Sequence, residues 1–336
     1  MASEAVQRKA PWWRNQQRRQ EVANAYLFLL PYILQTLIFT VGVILFALFI
    51  SFTDYDLFTA PRWANLDNYI KAVTSSDFQH SLVNVFWYVI TVVPIQTALA
   101  ILLAVLLSNI KVVRQFFRTV FYAPSVTSSV VISMIFWWLY LKTGYLNLFF
   151  SKLLGTLWIQ VDWLKDARGL FQLIFQALGS NIPSRLWYLR GPSVAWTAIM
   201  FQNIFTTAPT FMIMFLAALQ DIPRSLYEAA SLDGATGWKQ FWKITLPLLR
   251  PVMLLVVVLG TIGTWQIFDQ VKILTSGGPL GTTLVPVYLI YTEGLGTQGP
   301  PRMGFASAMA FILAVIIFIF TLIQRRFIER GTEMYY

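Results

Sequence analysis

The sequence predicts an all-α, polytopic membrane protein with six transmembrane helices, and three observations carry that prediction. Charged residues make up 12% of the 336-residue chain and hydrophobic residues 57%, whereas soluble chains carry about 25% charge. The missing charge is missing in blocks, leaving six stretches long and apolar enough to cross a bilayer, at about 26–51, 83–108, 117–141, 193–219, 251–272 and 304–325. The remaining Lys and Arg residues concentrate in alternate loops, as they do where positive charge fixes orientation.

The N-terminal tail, residues 1–25, carries Arg8, Lys9, Arg14, Arg18 and Arg19. A signal peptide also begins basic, but its apolar core is short and ends at a small-residue cleavage site. The run from Tyr26 to Ser51 is longer and lacks that ending, so it is expected to be an uncleaved span. Pro31, Pro94, Pro124 and Pro209 fall inside spans, where neighbouring helices satisfy the freed carbonyls. Lys111, Arg114, Arg118, Arg224, Lys239, Lys243, Arg250, Arg325, Arg326 and Arg330 share one side with the N-terminal cluster. That side is expected to be cytoplasmic, which places both termini there, the 327–336 tail included. Trp87, Tyr88, Trp137, Trp138 and Tyr140 lie near span ends, where interfacial aromatic belts form.

The formal charge of +10 follows from this loop asymmetry, and no basic stripe on a soluble domain points to nucleic acid. With no cysteine the chain offers no thiolate metal site or disulfide, and its single histidine, His80, is expected to be a solvated loop residue instead of part of a His-rich metal site or a Ser–His–Asp triad. No metal site is expected.

The loop at about 220–250 carries the strongest local signal. Asp221 can cap a helix and Pro223 suits its first turn. Good helix formers follow from Arg224 to Leu232, and Gly234 stands where such a helix would stop. A second short helix is expected from about Trp238 to Thr245, before Pro247 and Pro251. The loop reads Glu228-Ala229-Ala230-Ser231-Leu232-Asp233-Gly234-Ala235, then Phe241, Ile244, Leu246-Pro247 and Pro251.

This pattern resembles the EAA loop of ATP-binding-cassette importer permeases. Further landmarks in order resemble the MalF/UgpA-type permeases of carbohydrate and glycerol-phosphate uptake. They are Asn68-Tyr69, Phe117-Arg118-Thr119 with Pro124, Gly144-Tyr145-Leu146-Asn147, Asp162-Trp163-Leu164, Thr275-Ser276-Gly277-Gly278-Pro279 and Gly304 to Ala310. The likeness covers roughly residues 25–328. It implies that Glu228, Ala229, Ala230, Asp233, Gly234, Ala235, Phe241 and Pro247 couple the chain to an ATPase. It also implies a second permease subunit (a heterodimer), two cytoplasmic ATPase subunits that handle ATP and Mg, and an extracytoplasmic solute-binding protein. No cofactor is then bound by this chain, which is expected to be no enzyme and to reside in the cell membrane.

Gly234-Ala235-Thr236-Gly237-Trp238-Lys239 lacks the spacing of a phosphate-binding loop and follows a helix instead of a strand. For the solute, polar residues within spans are the candidates: Gln202, Asn203, Trp265, Gln266 and Asp269. Each either lines the pathway or ties helices together. Gly260 and Gly263 are expected to permit close helix packing. A segment at about 166–190, containing Gly179, Asn181, Pro183 and Ser184, is extra relative to the family pattern. It either meets the binding protein or is a tolerated surface insertion. Glycerol 3-phosphate is the alternative solute. An ion-driven transporter would need ionisable residues within the spans, which are nearly bare of them.

Overall fold

The computed structural model describes residues 16–110, 113–155 and 160–329. Arg8, Lys9, Arg14, Lys111 and Arg330 lie outside the described residues, as do most of the two terminal tails. The first apolar run is one helical rod: α1 (Gln16–Gln35), a π-helical stretch (Thr36–Gly42) and α2 (Val43–Ser51). A two-residue ladder of β1 (Thr53–Asp54) and β2 (Arg62–Trp63) follows, antiparallel, with Thr53 opposite Trp63. Then come α3 (Asp67–Thr74), α4 (Ser76–Asn109), α5 (Arg114–Val126), α6 (Ser129–Tyr140) and α7 (Tyr145–Leu154). Beyond these lie α8 (Leu170–Ala177), α9 (Val194–Gln220), α10 (Arg224–Leu232), α11 (Gly237–Gln240), a π-helical turn (Phe241–Thr245) and α12 (Leu246–Leu248). The chain finishes with α13 (Arg250–Trp265), α14 (Asp269–Leu274), α15 (Pro286–Leu295) and α16 (Met303–Glu329).

Helices α4 and α9 form the centre of the bundle, α13 packs against both, and α16 packs outside them on α2, α3, α13 and α15. At the end nearest the 220–250 loop the seam is built from Ala100, Ala104 and Leu107 of α4 against Met212, Phe215 and Leu216 of α9, closed by Leu249 and Val256. Small residues allow that close approach, because an apolar surrounding offers no hydrophobic drive and packing must supply the attraction. The opposite end is aromatic. Tyr88 stacks on Trp196 at 4.7 Å between centroids, both fully buried, among Val92, Ile199, Trp265 and Tyr288. Tyr88 and Tyr140 are therefore core residues, not members of an interfacial belt, whereas Trp137 and Trp138 are exposed.

Five described helices are long and apolar enough to cross a membrane, and a bent pair, counted as one span, makes six. That pair corrects the single helix expected at 117–141: α5 and α6 meet at 95°. Pro124 withholds an N–H within α5, and Thr127 and Ser128 then turn to extended ψ values of 144° and 134°. Helix α6 has twelve residues, a rise of about 18 Å, short of a bilayer core of about 30 Å. The fifth stretch is also interrupted, at Gln266–Phe268, between α13 and α14. The second extends upstream of its expected start, because Ser75 caps α4 by accepting from the Phe78 N–H. The α1–α2 rod stands almost outside the bundle, with only 6% of its apolar window buried. Tyr26, Phe28 and Leu45 accordingly face outward, as lipid contact requires.

The two glycines of α13 separate. A Cβ on Gly260 would lie 2.5 Å from Gln96 Nε2, so this glycine admits α4. A Cβ on Gly263 would meet nothing within 4 Å, so the expectation of close packing fails there. Gly260→Ala is expected to cost about 1 kcal/mol, the low end of overpacking, because the atom met is the terminal amide of Gln96, and Gly263→Ala to be neutral or slightly stabilising. Thermal unfolding of the detergent-purified variants measures both, and equal melting points would contradict the packing.

Sequence landmarks of the opposite end are structural clamps. Asn147, 2% exposed, donates from Nδ2 to the carbonyls of Leu141, Lys142 and Val161, and its Oδ1 accepts from the Val161 N–H. Asn68 likewise donates to the carbonyls of Ser51 and Thr53.

The 166–190 segment closes on itself. Leu170 N–H donates to Pro192 O, Phe171 N–H to Arg190 O, and Val194 N–H to Arg168 O, around an antiparallel bridge between Gly169 and Ser193. Arg168 donates two-pronged to Asp166, with the Nη2–Oδ2 distance 2.6 Å. That bond holds the Asp166 carboxyl below its usual range. Its stabilisation is present above the ordinary carboxylate pKa and fades as pH falls through the lowered one; Arg168 is exposed to solvent screening, so the effect is small.

Candidate functional site

The 220–250 loop is a helix–turn–helix on one end of the bundle. Helix α10 starts at Arg224, and its N-cap position is Pro223 in an extended conformation, without a side-chain cap. Asp221 instead terminates α9, which corrects its expected capping role. The physical reason is that Pro223 lacks an N–H and sits outside the first turn, so α10 needs one orphan donor fewer.

The end of α10 is built as the sequence requires. Gly234 adopts φ +73°, the left-handed region that favours glycine. Ala235 N–H reaches back to Ala230 O at 2.8 Å and Gly234 N–H to Ser231 O at 3.1 Å, closing the last carbonyls. The reversed chain is then locked by side chains. Gln240 Nε2 donates to Ser231 Oγ at 2.9 Å and Ala235 O at 3.2 Å, and the Tyr227 and Thr245 hydroxyls lie 2.9 Å apart. Sequence reasoning missed Tyr227, Gln240 and Thr245; their only signal is a polar side chain spaced to face the opposite limb.

The loop is rooted on one side and open on the other. Phe241 and Leu246 pack against the α4–α9–α13 core, and Thr245 is buried. Glu228, Ala229, Asp233 and Gly234 are exposed, with Ala230, Ala235 and Pro247 half-buried. Leu232, 91% exposed, and Trp238, 72% exposed, flank the turn. Trp238 stacks near Phe241 and crosses Trp242 edge-on, giving a rigid aromatic shoulder. A surface with small residues, exposed apolar anchors and braced limbs fits insertion into a partner's cleft.

The candidate pathway residues divide into three groups. Gln202 is fully buried and donates from Nε2 to Ser133 Oγ of α6 at 2.8 Å, leaving Oε1 without a partner. One turn further along α9, Thr207 Oγ1 donates across to Gln96 Oε1 of α4 at 2.7 Å and lies within hydrogen-bond distance of the Asn203 carbonyl in its own helix. Gln96, buried and missed by the sequence reading, keeps Nε2 without a partner, as does Thr261 Oγ1 nearby in sequence to Gly260. Trp265 is 3% exposed with its Nε1 unpaired, whereas Gln266 and Asp269 are exposed at the α13–α14 break. The structure thus joins Thr207 of α9 to Gln96 of α4, and does not gather the five candidate residues at one point. Among the described residues no group of three His, Asp or Glu side chains is placed to hold a metal ion.

A bundle of this composition, carrying one braced exposed loop, defines a membrane transport component. The chain belongs to the family of binding-protein-dependent transport system inner membrane components, whose model matches residues 96–332. It is 36% identical over 309 residues to the probable ABC transporter permease protein YesP of Bacillus subtilis (strain 168), covering 91% of this chain and 90% of that one. It is 29% identical to the lactose transport system permease protein LacF of Rhizobium radiobacter, covering 93% and 96%. In fold it is similar to a chain of a bacterial ABC transporter involved in the import of the acidic polysaccharide alginate. That likeness has a TM-score of 0.72 at 22% identity, over 96% of this chain and 99% of that one.

Proposed function

We propose that this chain is the transmembrane permease subunit of an ATP-binding-cassette importer that translocates a sugar or oligosaccharide. One observation carries the reading: an exposed EAA-patterned turn, fixed by Gly234 and by the Gln240 and Tyr227 bonds, is rooted through Phe241 in the core that joins α4, α9 and α13. In this reading an ATPase subunit receives Glu228 to Ala235 in a cleft, and a second ATPase receives the matching loop of a partner permease. ATP and Mg are handled by those subunits. When the ATPases close, the push passes through α11 and the π-helical turn to α13, and the bundle exchanges inward for outward access. An extracytoplasmic binding protein delivers the solute at the opposite end. Both termini and the EAA loop lie in the cytoplasm, on the side with the denser basic residues.

In the same reading the solute passes Asn203, Thr207 and Gln96, whose amide and hydroxyl groups suit sugar hydroxyls, with Trp265 offering an aromatic face. Gln202 holds α6 in place, and Gln266 and Asp269 stand at the outer mouth. The names of relatives such as the lactose permease support a sugar; glycerol 3-phosphate is the second solute that the family resemblance admits.

The test is purification of the tagged chain from its native host in mild detergent. Recovery of an ATPase and a second permease, with ATPase activity stimulated by a binding protein, is the expected result. Recovery of the chain alone across several detergents would overturn ATP coupling.

A further inference from the structure

At the end of the bundle opposite the EAA loop lies a cleft of about 290 Å³ that the transport reading leaves unassigned. Its walls come from three distant parts of the chain. One is a face of α4, with His80, Asn84 and Trp87 at helical spacing; the second is the 166–190 segment and its exit, with Tyr188 and Arg190; the third is the turn carrying Thr282.

The walls are fixed in place. Asn84 Nδ2 donates to the carbonyls of Gly281 and Leu284, both at 2.9 Å, and its own carbonyl accepts from Trp196 Nε1 at 2.8 Å. Trp87 Nε1 donates to Tyr188 O at 3.0 Å, and its ring meets Phe171 edge-on at 5.4 Å. The 166–190 segment packs closely against its own exit, leaving no room there for side chains. A Cβ on Gly169 would lie 2.2 Å from Arg190 O, and one on Gly191 would lie 2.7 Å from the Phe171 ring.

The charge in this cleft is one-sided. Arg190 is half-buried, and its Nε is buried without a hydrogen-bond partner. Among the described residues it joins no ion pair, while Arg168 and Arg302 pair with Asp166 and Glu293. Among the described residues no Asp or Glu lines the cleft. A half-buried guanidinium outside any ion pair is a strong site for a planar carboxylate, which it binds in two-pronged fashion. Beside it stands an oriented indole ring, the surface on which the C–H face of a sugar ring rests.

From this arrangement we infer that the cleft is a subsite for a sugar residue bearing a carboxylate, a uronic acid, which Arg190 recognises and Trp87 supports. The inference rests on the permease reading and names a solute class for it. The 166–190 segment is then the element that builds selectivity at the outer mouth, since it supplies Arg190 and the Tyr188 carbonyl that sets the Trp87 ring.

The test uses the purified native complex in nanodiscs of zwitterionic lipid. D-galacturonate, D-galactose and sn-glycerol 3-phosphate are titrated and followed by saturation-transfer NMR, while binding-protein-stimulated ATPase activity is recorded on the same preparations. Galacturonate is expected to bind at least about tenfold more tightly than galactose, and Arg190→Gln to remove that preference. Ala167→Phe, which fills the cleft and leaves the charge, is expected to weaken galacturonate too. Equal binding of the two sugars, indifference to both substitutions, or glycerol 3-phosphate binding as tightly as galacturonate would overturn the subsite. A complex that keeps stimulated ATPase activity but shows any of those results sinks the subsite alone. A complex without stimulated activity sinks the permease reading, whatever the sugar binding shows.

Discussion

Gly234→Val is expected to lower ATP-driven solute uptake about tenfold or more, and Gly234→Asn to retain most of it. Position 234 has φ +73°, and a Cβ there would meet nothing within 4 Å. Any loss therefore comes from backbone conformation, not from a clash. A left-handed conformation costs an L residue about 1–2 kcal/mol, most for a β-branched side chain and least for Asn. That cost falls on the turn whose Ala235–Ala230 bond sets the angle between α10 and α11. If Val relaxes the turn, the exposed Glu228–Asp233 face and the aromatic shoulder at Trp238 no longer present one rigid surface. Uptake into proteoliposomes, with ATPase recovery measured beside it, checks both docking and coupling. A Gly234→Val complex that assembles and transports at the wild-type rate would remove the turn from the mechanism.

The largest stability effect is expected at Gly304. A Cβ there would sit 2.0 Å from Thr53 O and 3.1 Å from Ile50 O, both backbone atoms, while the Gly304 N–H donates to Tyr55 O. The start of α16 thus lies directly on the exit of α2. Gly304→Ala must push the two apart, weakening the contact that holds the otherwise unburied α1–α2 rod to the bundle. A loss of about 3 kcal/mol or more is expected, at the upper end of overpacking costs. Gly299→Ala, where a Cβ would meet nothing within 4 Å, is the neutral control. Fluorescence-monitored melting in detergent compares them; coincident curves would show that α16 yields without cost.

Much of the fold was legible because apolar length is a one-dimensional property. The fourth and sixth stretches appear as helices close to their expected bounds, and the first and second as helices that begin upstream of theirs, since a segment lacking charge over 20 residues has no stable alternative in lipid. The 117–141 stretch was misjudged for the same reason. A window average over Phe117 to Leu141 cannot see that Thr127 and Ser128 turn the chain by 95°. The EAA loop was legible down to the glycine turn and the limits of α10. Asp221 was misplaced because either a helix end or a helix start can use an Asp followed by Ile-Pro.

The sequence alone determined the solvent of this protein, the number of apolar stretches, the exposed turn at Gly234 and the family to which that turn belongs. Each of these depends on residue type at short range, where hydrophobicity and backbone preference act without reference to distant parts of the chain. Only the tertiary structure decided which polar residues meet. Gln96 and Thr207 are 111 positions apart and share a hydrogen bond, while Gln202, on the same helix as Thr207, is bonded to Ser133 of α6. It also decided that Gly260 packs and Gly263 does not, and that His80, Trp87 and Arg190 share one cleft. Those outcomes depend on which faces of α4, α9 and α13 are turned together, and side-chain packing across the bundle fixes that rotation.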